Sequence, residues 1–240
     1  MIGEIISIKE SALDIYKIDI RLDPSNASNI PGPAIRFRNG QYVMIAFEDK
    51  SMDRRAYSIL EYDDKNTMTL LIKTAGEFTK KLVKMDPGKK IYVYGPYGKF
   101  TLKEKQGSLD ESKNVFIAGG IGIVPLYSMI LQILKKHKTE RGRNYLYYSC
   151  KHYMEMALYD ELNQIKEKNS DHINVKFYFT READMERSNV EEIKTIEGFD
   201  SYNYYLCGPD EMMEHIEKAL IQIGVEEKNI YKESFVLDRM

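Results

Sequence analysis

Hydrophobic residues in this chain keep two rhythms, and the change from one to the other falls between Lys103 and Asn114. Before it, short β-type runs follow one another: Ile5, Ile6 and Ile8; Leu13, Ile15, Ile18 and Ile20; Tyr42 to Phe47; Arg55 to Ile59; Met68 to Ile72; Ile91 to Tyr94. Pro24, Pro31-Gly32-Pro33, Asn39-Gly40 and Pro87-Gly88 punctuate them as turns, and one helical stretch, Glu77 to Met85, interrupts the series. Strands at this spacing predict a small antiparallel β-barrel of the six-stranded type. Beyond the change, strands alternate with helices. Strands are predicted at Val115–Ala118, Tyr145–Ser149, Ile173–Thr180, Tyr202–Cys207 and Asn229–Lys232, with helices at Ile123–His137, Met156–Lys168, Val190–Ile196 and Asp210–Gly224. That order predicts an α/β domain with a parallel sheet wrapped by crossover helices. The stretch between carries one apolar residue, Leu109, and reads as a solvated connection. The expected layout is a barrel at 1–104, a linker at 105–113 and an α/β domain at 114–240.

Composition narrows the functions open to such a chain. A hydrophobic share of 43%, with 18 Tyr and 9 Phe in 240 residues, is ample for two packed cores. The 35 basic and 37 acidic residues nearly cancel, so no global field recruits nucleic acid or an anionic membrane. Two cysteines, Cys150 and Cys207, are too few for a conventional iron–sulfur cluster and make a disulfide framework unexpected. The N-terminal residues lack the apolar core of a signal peptide, and no run reaches the roughly 18 apolar residues of a membrane span. A soluble cytoplasmic protein without membrane insertion is expected. His137, His152, His172 and His215 are scattered without metal-ligand spacing, so no metal site is expected.

Three constellations carry chemistry. Arg55-Ala56-Tyr57-Ser58 places a cation, an aromatic plate and a hydroxyl on one strand, with Arg55 and Tyr57 on one face and Ala56 and Ser58 on the other. An ordinary cross-strand pair is the plain alternative. At Gly119-Gly120-Ile121-Gly122-Ile123-Val124-Pro125 a strand turns into a helix, where glycines allow close backbone approach and free N–H groups favour a phosphate. Pro125 stands where a dinucleotide fingerprint would have its third glycine, and a simple packing turn is the competing reading. Cys207-Gly208-Pro209 repeats the architecture at a later strand, with a polarisable thiol at the strand end; a buried structural cysteine is the alternative.

Together with Gly95-Pro96-Tyr97-Gly98, these runs occur in the order in which they stand in the ferredoxin–NADP reductase superfamily, which the chain resembles over nearly its whole length. The resemblance implies a flavin-binding barrel followed by a pyridine-nucleotide domain. It implies that Tyr57 packs on an isoalloxazine, Ser58 hydrogen-bonds near flavin N5 and Arg55 holds the pyrophosphate, with Ala56 also among the cofactor-binding residues. Ile72, Lys73 and Thr74, then Gly76, Glu77, Phe78 and Thr79, resemble the strand and loop that complete the flavin site. Gly119, Gly120, Gly122, Ile123, Pro125, Cys207, Gly208 and Pro209 would receive the nicotinamide coenzyme. Glu233-Ser234-Phe235 resembles a terminal Glu-x-aromatic element, with Phe235 covering the flavin and Glu233 beside Ser58 and Cys207. Here Val236 to Met240 follow the aromatic, unlike the plant-type pattern, and a core Phe235 is a fair competitor.

For the coenzyme, Thr180-Arg181-Glu182 resembles the run that grips a 2′-phosphate, and Lys151 follows the second strand, where no acid stands to hold a ribose hydroxyl. NADPH is favoured over NADH on that ground. The catalytic set expected is Ser58, Cys207, Glu233 and Phe235, with FAD as flavin and FMN still open. The expected activity is electron transfer from NADPH or NADH through flavin to an acceptor such as a ferredoxin, a flavodoxin or a small molecule. The alternatives are the flavin component of an oxygenase system or of a dihydroorotate dehydrogenase-type complex, and a nucleotide-binding regulatory protein without turnover.

Overall fold

The computed structural model describes residues 1–23, 35–103, 113–136, 144–181 and 190–234. Phe235, Glu182, His137 and nearly all of the expected linker lie outside these residues. Among the described residues, β1 (Ile2–Ala12), β2 (Ile15–Leu22), β3 (Tyr42–Ala46), β4 (Arg55–Tyr62), β5 (Thr67–Lys73) and β6 (Lys90–Tyr97) close into an antiparallel barrel in the order β1-β2-β5-β4-β3-β6. Helix α1 (Glu77–Leu82) plugs one end, burying Phe78 and Leu82 in the barrel core with Val43, Ile45, Ile59 and Ile72. Each of the six strands pairs on both sides, β1 with β6 through Ile2–Glu4, and such closure protects strand edges from edge-to-edge association. Leu13 falls in the β1–β2 turn instead of a strand, where Asp14 takes φ 60° and Leu13 stays 44% exposed.

The second unit orders its strands β11-β10-β7-β8-β9, all parallel: β7 (Asn114–Gly119), β8 (Asn144–Cys150), β9 (Ile173–Phe179), β10 (Asn203–Cys207) and β11 (Ile230–Glu233). The helices are α2 (Ile123–Lys136), α3 (Tyr159–Lys168), α4 (Val190–Ile193) and α5 (Asp210–Gln222). Both sheet faces are buried, which is why its strands read as unbroken apolar runs. Phe116, Ala118, Tyr205 and Cys207 turn to the α2 face, while Val115, Ile117, Tyr204 and Leu206 turn to the α5 face.

Three helices are three residues shorter than their sequence pattern: α1 ends at Leu82 instead of Met85, and α3 and α4 are cut at one end. Leu158 takes the left-handed conformation, φ 60°, which costs a branched residue about 1–2 kcal/mol. Its side chain is 2% exposed in the core with Met156 and Ala157, so burial of this trio outweighs helical continuity and α3 begins only at Tyr159. Helix α4 gives way after Ile193 to tighter turns closed by the amides of Lys194, Thr195 and Ile196, ahead of left-handed Gly198.

The α2 face continues across the seam into the barrel's outer surface. Ile15, Leu60, Leu71, Phe100 and Leu102 share one apolar cluster with Leu126, Met129 and Tyr205. Asn39 donates to the carbonyl and hydroxyl oxygens of Ser128 in α2, 2.8 and 2.9 Å away, and the amide of Lys103 donates to the Tyr205 hydroxyl at 2.9 Å. Among the described residues no helix is long and apolar enough to cross a membrane, and no group of three His, Cys, Asp or Glu is close enough to hold a metal.

Candidate active site

Strand parity decides which side chains meet at the seam. β4 pairs with β3 so that Tyr57 lies opposite Val43 and Arg55 opposite Ile45, on the side of the barrel core, while Ser58 lies opposite Tyr42 and Ala56 opposite Met44. Ser58 therefore shares the outward face with Leu60, which belongs to the cluster that also contains Cys207. In the other unit Cys207 pairs with Glu233 and Tyr205 with Tyr231, on the same barrel-facing side. A one-residue slip in either strand would send these groups to opposite faces.

Gly98 links the two sets. A Cβ built there would stand 3.1 Å from the Tyr42 ring and 3.7 Å from Glu233 Oε1, and Tyr42 is the cross-strand partner of Ser58. The Cys207 thiol donates to the Glu233 carbonyl at 3.3 Å. Ser58, Tyr42, Gly98, Glu233 and Cys207 thus form one continuous patch. Tyr42, whose ring lies 5.9 Å from that of Tyr97, carried no signal in the sequence beyond strand propensity.

Two oxygens of this patch, Ser58 Oγ and Glu233 Oε2, are buried without a hydrogen-bond partner among the described residues, and Tyr57 Oη is a third such oxygen on the other face of β4. Leaving such groups unpaired costs roughly 1–3 kcal/mol each, so native structures rarely keep them. A planar ligand with ring nitrogens and carbonyls supplies the partners that the protein lacks, and a flavin fits this donor set. Burial pushes the Glu233 carboxyl up to about 7 and the Cys207 thiol well up, the latter with help from the Glu233 charge. Cys207 is therefore a neutral thiol and not a thiolate nucleophile. Burial likewise keeps the Tyr57 phenol protonated.

The sign for Glu233 follows from linkage. A folded-state pKa above the ordinary 4.5 means that the folded protein holds the extra proton, so stability present below pH 4.5 is lost as pH rises toward 7. The loss should be on the order of 3 kcal/mol in flavin-free protein. Urea unfolding at pH 5, 6 and 8 should show that slope in the wild type and a flat profile over the same range in Glu233→Gln. Parallel profiles would remove Glu233 as its source.

Arg55 lies at the opposite, barrel-core side of β4. Its guanidinium pairs with Asp53 at 2.6 Å and sits 5.4 Å from the centroid of Phe78. Thr79 Oγ1 accepts from the amides of Ala75 and Gly76 at 3.0 and 3.1 Å and donates to the Gly76 carbonyl, so its hydroxyl is spent on opening α1. The amides of the first helical turn, 77 to 79, are those an α-helix leaves to an outside acceptor. Thr74 bonds Asp14 across the turn, and the Ile72 side chain is 1% exposed inside the barrel, so only its backbone is available to a ligand.

On the other unit a cleft of about 1460 Å³ opens over the carboxyl ends of β7, β8 and β10, bounded by Gly119–Ile121, Ser149–Lys151, Thr180 and Gly208–Met212. In parallel sheets this is the ligand-binding edge. The glycines divide the labour. A Cβ on Gly122 would overlap the Cys207 carbonyl oxygen, and one on Gly119 or Gly208 would stand 2.6 Å from Met212 atoms, so these three let the two turns close on each other. Gly120, at φ 53°, faces open space. Ile123 and Pro125 are buried, Ile123 completely, and contribute packing beneath the turn. Lys151 and Thr180 line the cleft; Arg181 is exposed beside them, its amide donating to the Lys151 carbonyl at 3.1 Å. Met212, in the helix that opens after Cys207-Gly208-Pro209, and Glu155, which belongs to no recognisable run, also line the cleft, and neither is assigned to a site by the sequence.

Comparison with known proteins agrees with this geometry. The family model described as oxidoreductase FAD-binding domain matches residues 18–102, and that described as oxidoreductase NAD-binding domain matches 116–218. One component of the Na(+)-translocating NADH-quinone reductase of Haemophilus ducreyi is 26% identical over 206 residues, covering 75% of this chain and 48% of the relative, so the chain spans about half the length of the curated relatives it matches. Among solved structures, the flavohemoglobin of Malassezia yamatoensis with bound FAD and heme is similar at TM-score 0.79 and 21% identity, over 98% of this chain and 59% of that one. The FAD/NAD-binding domain of the nitric oxide dioxygenase from Vibrio cholerae O1 biovar El Tor gives TM-score 0.78 at 19% identity, over 97% of both chains. With an FAD-binding barrel and an NAD-binding sheet meeting at one patch of orphaned oxygens, the chain belongs to the ferredoxin–NADP reductase superfamily of FAD-dependent NAD(P)H oxidoreductases.

Proposed function

We propose that this chain takes reducing equivalents from NADPH or NADH and passes them by way of FAD to a separate redox acceptor such as a ferredoxin, a flavodoxin or a small molecule. The observation that carries the reading is the convergence of Ser58 Oγ and Glu233 Oε2, both buried and unpartnered, beside Cys207 where the two units meet. FAD, when bound, supplies the conversion of a two-electron donor to one-electron delivery. The residues supply placement: Tyr57 and Ser58 orient the ring system, with Arg55, Ala56, Thr74, Gly76, Phe78 and Thr79 on its phosphate side. Cys207 and Gly208-Pro209 shape the nicotinamide pocket, while Glu233 presents a carboxyl able to hold or release a proton near neutrality. Phe235 is assigned the flavin-covering role and the division of the chain at 105–113 is retained. Free buried thiols suit a reducing compartment, so the cytoplasm is the proposed location.

The purified protein should be yellow, release FAD on denaturation and bleach anaerobically with NADPH. A colourless preparation that takes up no flavin would overturn the reading. A second form of it, a flavin component working inside a larger complex, is favoured by the half-length match to the NADH-quinone reductase relatives.

For the coenzyme's 2′ end, Lys151 and Arg181 at the ends of β8 and β9 support NADPH. Arg181→Ala should weaken NADPH about tenfold relative to NADH, the scale of one charge-assisted contact. Equal losses for both coenzymes would refute the 2′-phosphate assignment.

A further inference from the structure

Lys73 and Glu155 come from different halves of the molecule. Lys73 ends β5 in the barrel, and Glu155 closes the 3₁₀ turn Tyr153–Glu155 after β8. Lys73 Nζ donates to Glu155 Oε2 at 2.8 Å, across the seam and on the wall of the coenzyme cleft. There β5 touches the turn Gly120–Gly122, so the ion pair stands beside the open backbone of Gly120. Lys151 is close enough to act on the same carboxylate, so two ammonium groups stand against one carboxylate in this corner. A phosphate arriving at the Gly120 turn would find Lys73 within the same wall, already engaged.

We propose that Glu155 is a built-in competitor for the coenzyme: it occupies Lys73 at rest and yields it to the pyrophosphate on binding. This rests on the reading of the cleft as the nicotinamide coenzyme site, and it moves Lys73 from the flavin set to the coenzyme set. The pyrophosphate is the phosphate concerned, because Lys73 lines the same cleft as Gly120 on a strand that touches the Gly120–Gly122 turn, whereas Thr180 and Arg181 follow the end of β9, where the 2′-phosphate is proposed to lie. Glu155 is a positioning residue that sets affinity through Lys73. With 39% and 19% of the two side chains exposed, the pair stays within reach of solvent, and ion pairs open to water contribute little net stability. A pyrophosphate with more charge and more acceptor oxygens can therefore displace the carboxylate.

The test uses the full chain with flavin and measures dissociation constants for NAD⁺, NADP⁺ and inorganic pyrophosphate by calorimetry, together with the thermal midpoint. Glu155→Gln should bind all three roughly three- to tenfold tighter, while its midpoint stays level or falls slightly. Lys73→Met should weaken all three about tenfold, and the double variant should match Lys73→Met alone. A merely structural ion pair would lose affinity along with stability, the opposite sign. Glu155→Asp, which keeps the charge but shortens its reach, should fall between the wild type and Glu155→Gln and serves if the latter fails to fold. Unchanged or weaker binding in the Glu155 variants, or a Lys73→Met effect confined to NADP⁺, overturns the proposal. Pyrophosphate binding needs no turnover, so the expected shifts in a protein that NADPH cannot bleach would count against the reductase reading alone.

Discussion

Gly122→Ala should destabilise the nucleotide-binding half by about 3 kcal/mol, at the upper end of what overpacking a core costs. The added methyl would overlap the carbonyl oxygen of Cys207 and stand 2.8 Å from the Gly208 amide nitrogen, and both neighbours are backbone atoms with no rotamer to yield. The β7–α2 and β10–α5 turns would have to part, and the floor of the cleft with them. Calorimetry should record a midpoint lowered by roughly 5 to 10 °C, and coenzyme affinity should fall in parallel. Gly120→Ala is the informative contrast. Its methyl meets no atom within 4 Å, so the cost is only the left-handed backbone at φ 53°, about 1 kcal/mol. That methyl projects into open space where the coenzyme is proposed to lie, so Gly120→Ala should lose affinity out of proportion to stability. A Gly122→Ala protein with wild-type midpoint and affinity would show that the two turns are not in close contact.

Ser58→Ala should slow flavin reduction by NADPH about a hundredfold in stopped flow, the scale of removing one preorganised hydrogen-bonding group, while flavin stays bound. The same change should leave flavin-free protein as stable as the wild type or more so by up to about 1 kcal/mol, because it deletes a 5%-exposed hydroxyl that has no partner among the described residues. The paired outcome separates a ligand-facing hydroxyl from a structural one: a structural hydroxyl would cost stability without flavin and leave reduction untouched. Unchanged reduction kinetics would take Ser58 out of the mechanism.

Much of this fold is legible in the pattern of residues because its signals are local. Alternating apolar residues, the punctuating turns and the switch at Lys103 to Asn114 are properties of short windows, and β7 to β11 fall within two residues of their predicted spans. Errors occur where burial overrides local preference, as at Leu158, whose side chain is held in the core at the expense of the helix. Leu13 reads as part of a strand because it is apolar, yet it sits in a turn, where its amide donates to the Met154 carbonyl across the seam at 2.7 Å.

The site divides in the same way. Residue types arrayed along one strand or one turn, as in Arg55 to Ser58 or Gly119 to Gly122, announce their chemistry in the linear order. Pairings between distant strands do not. Ser58 and Glu233 stand 175 positions apart in numbering (233 − 58), and only the barrel closure, the β11-β10-β7 order and the parity of both sheets bring them to one patch. Tyr42, Met212 and Glu155 take their roles from what lies across from them, and such neighbours are set by packing, which no window of the chain contains. The residues available for chemistry were therefore written in the linear order, while the partners each one meets, and the oxygens left without a partner, were decided by how the two sheets dock.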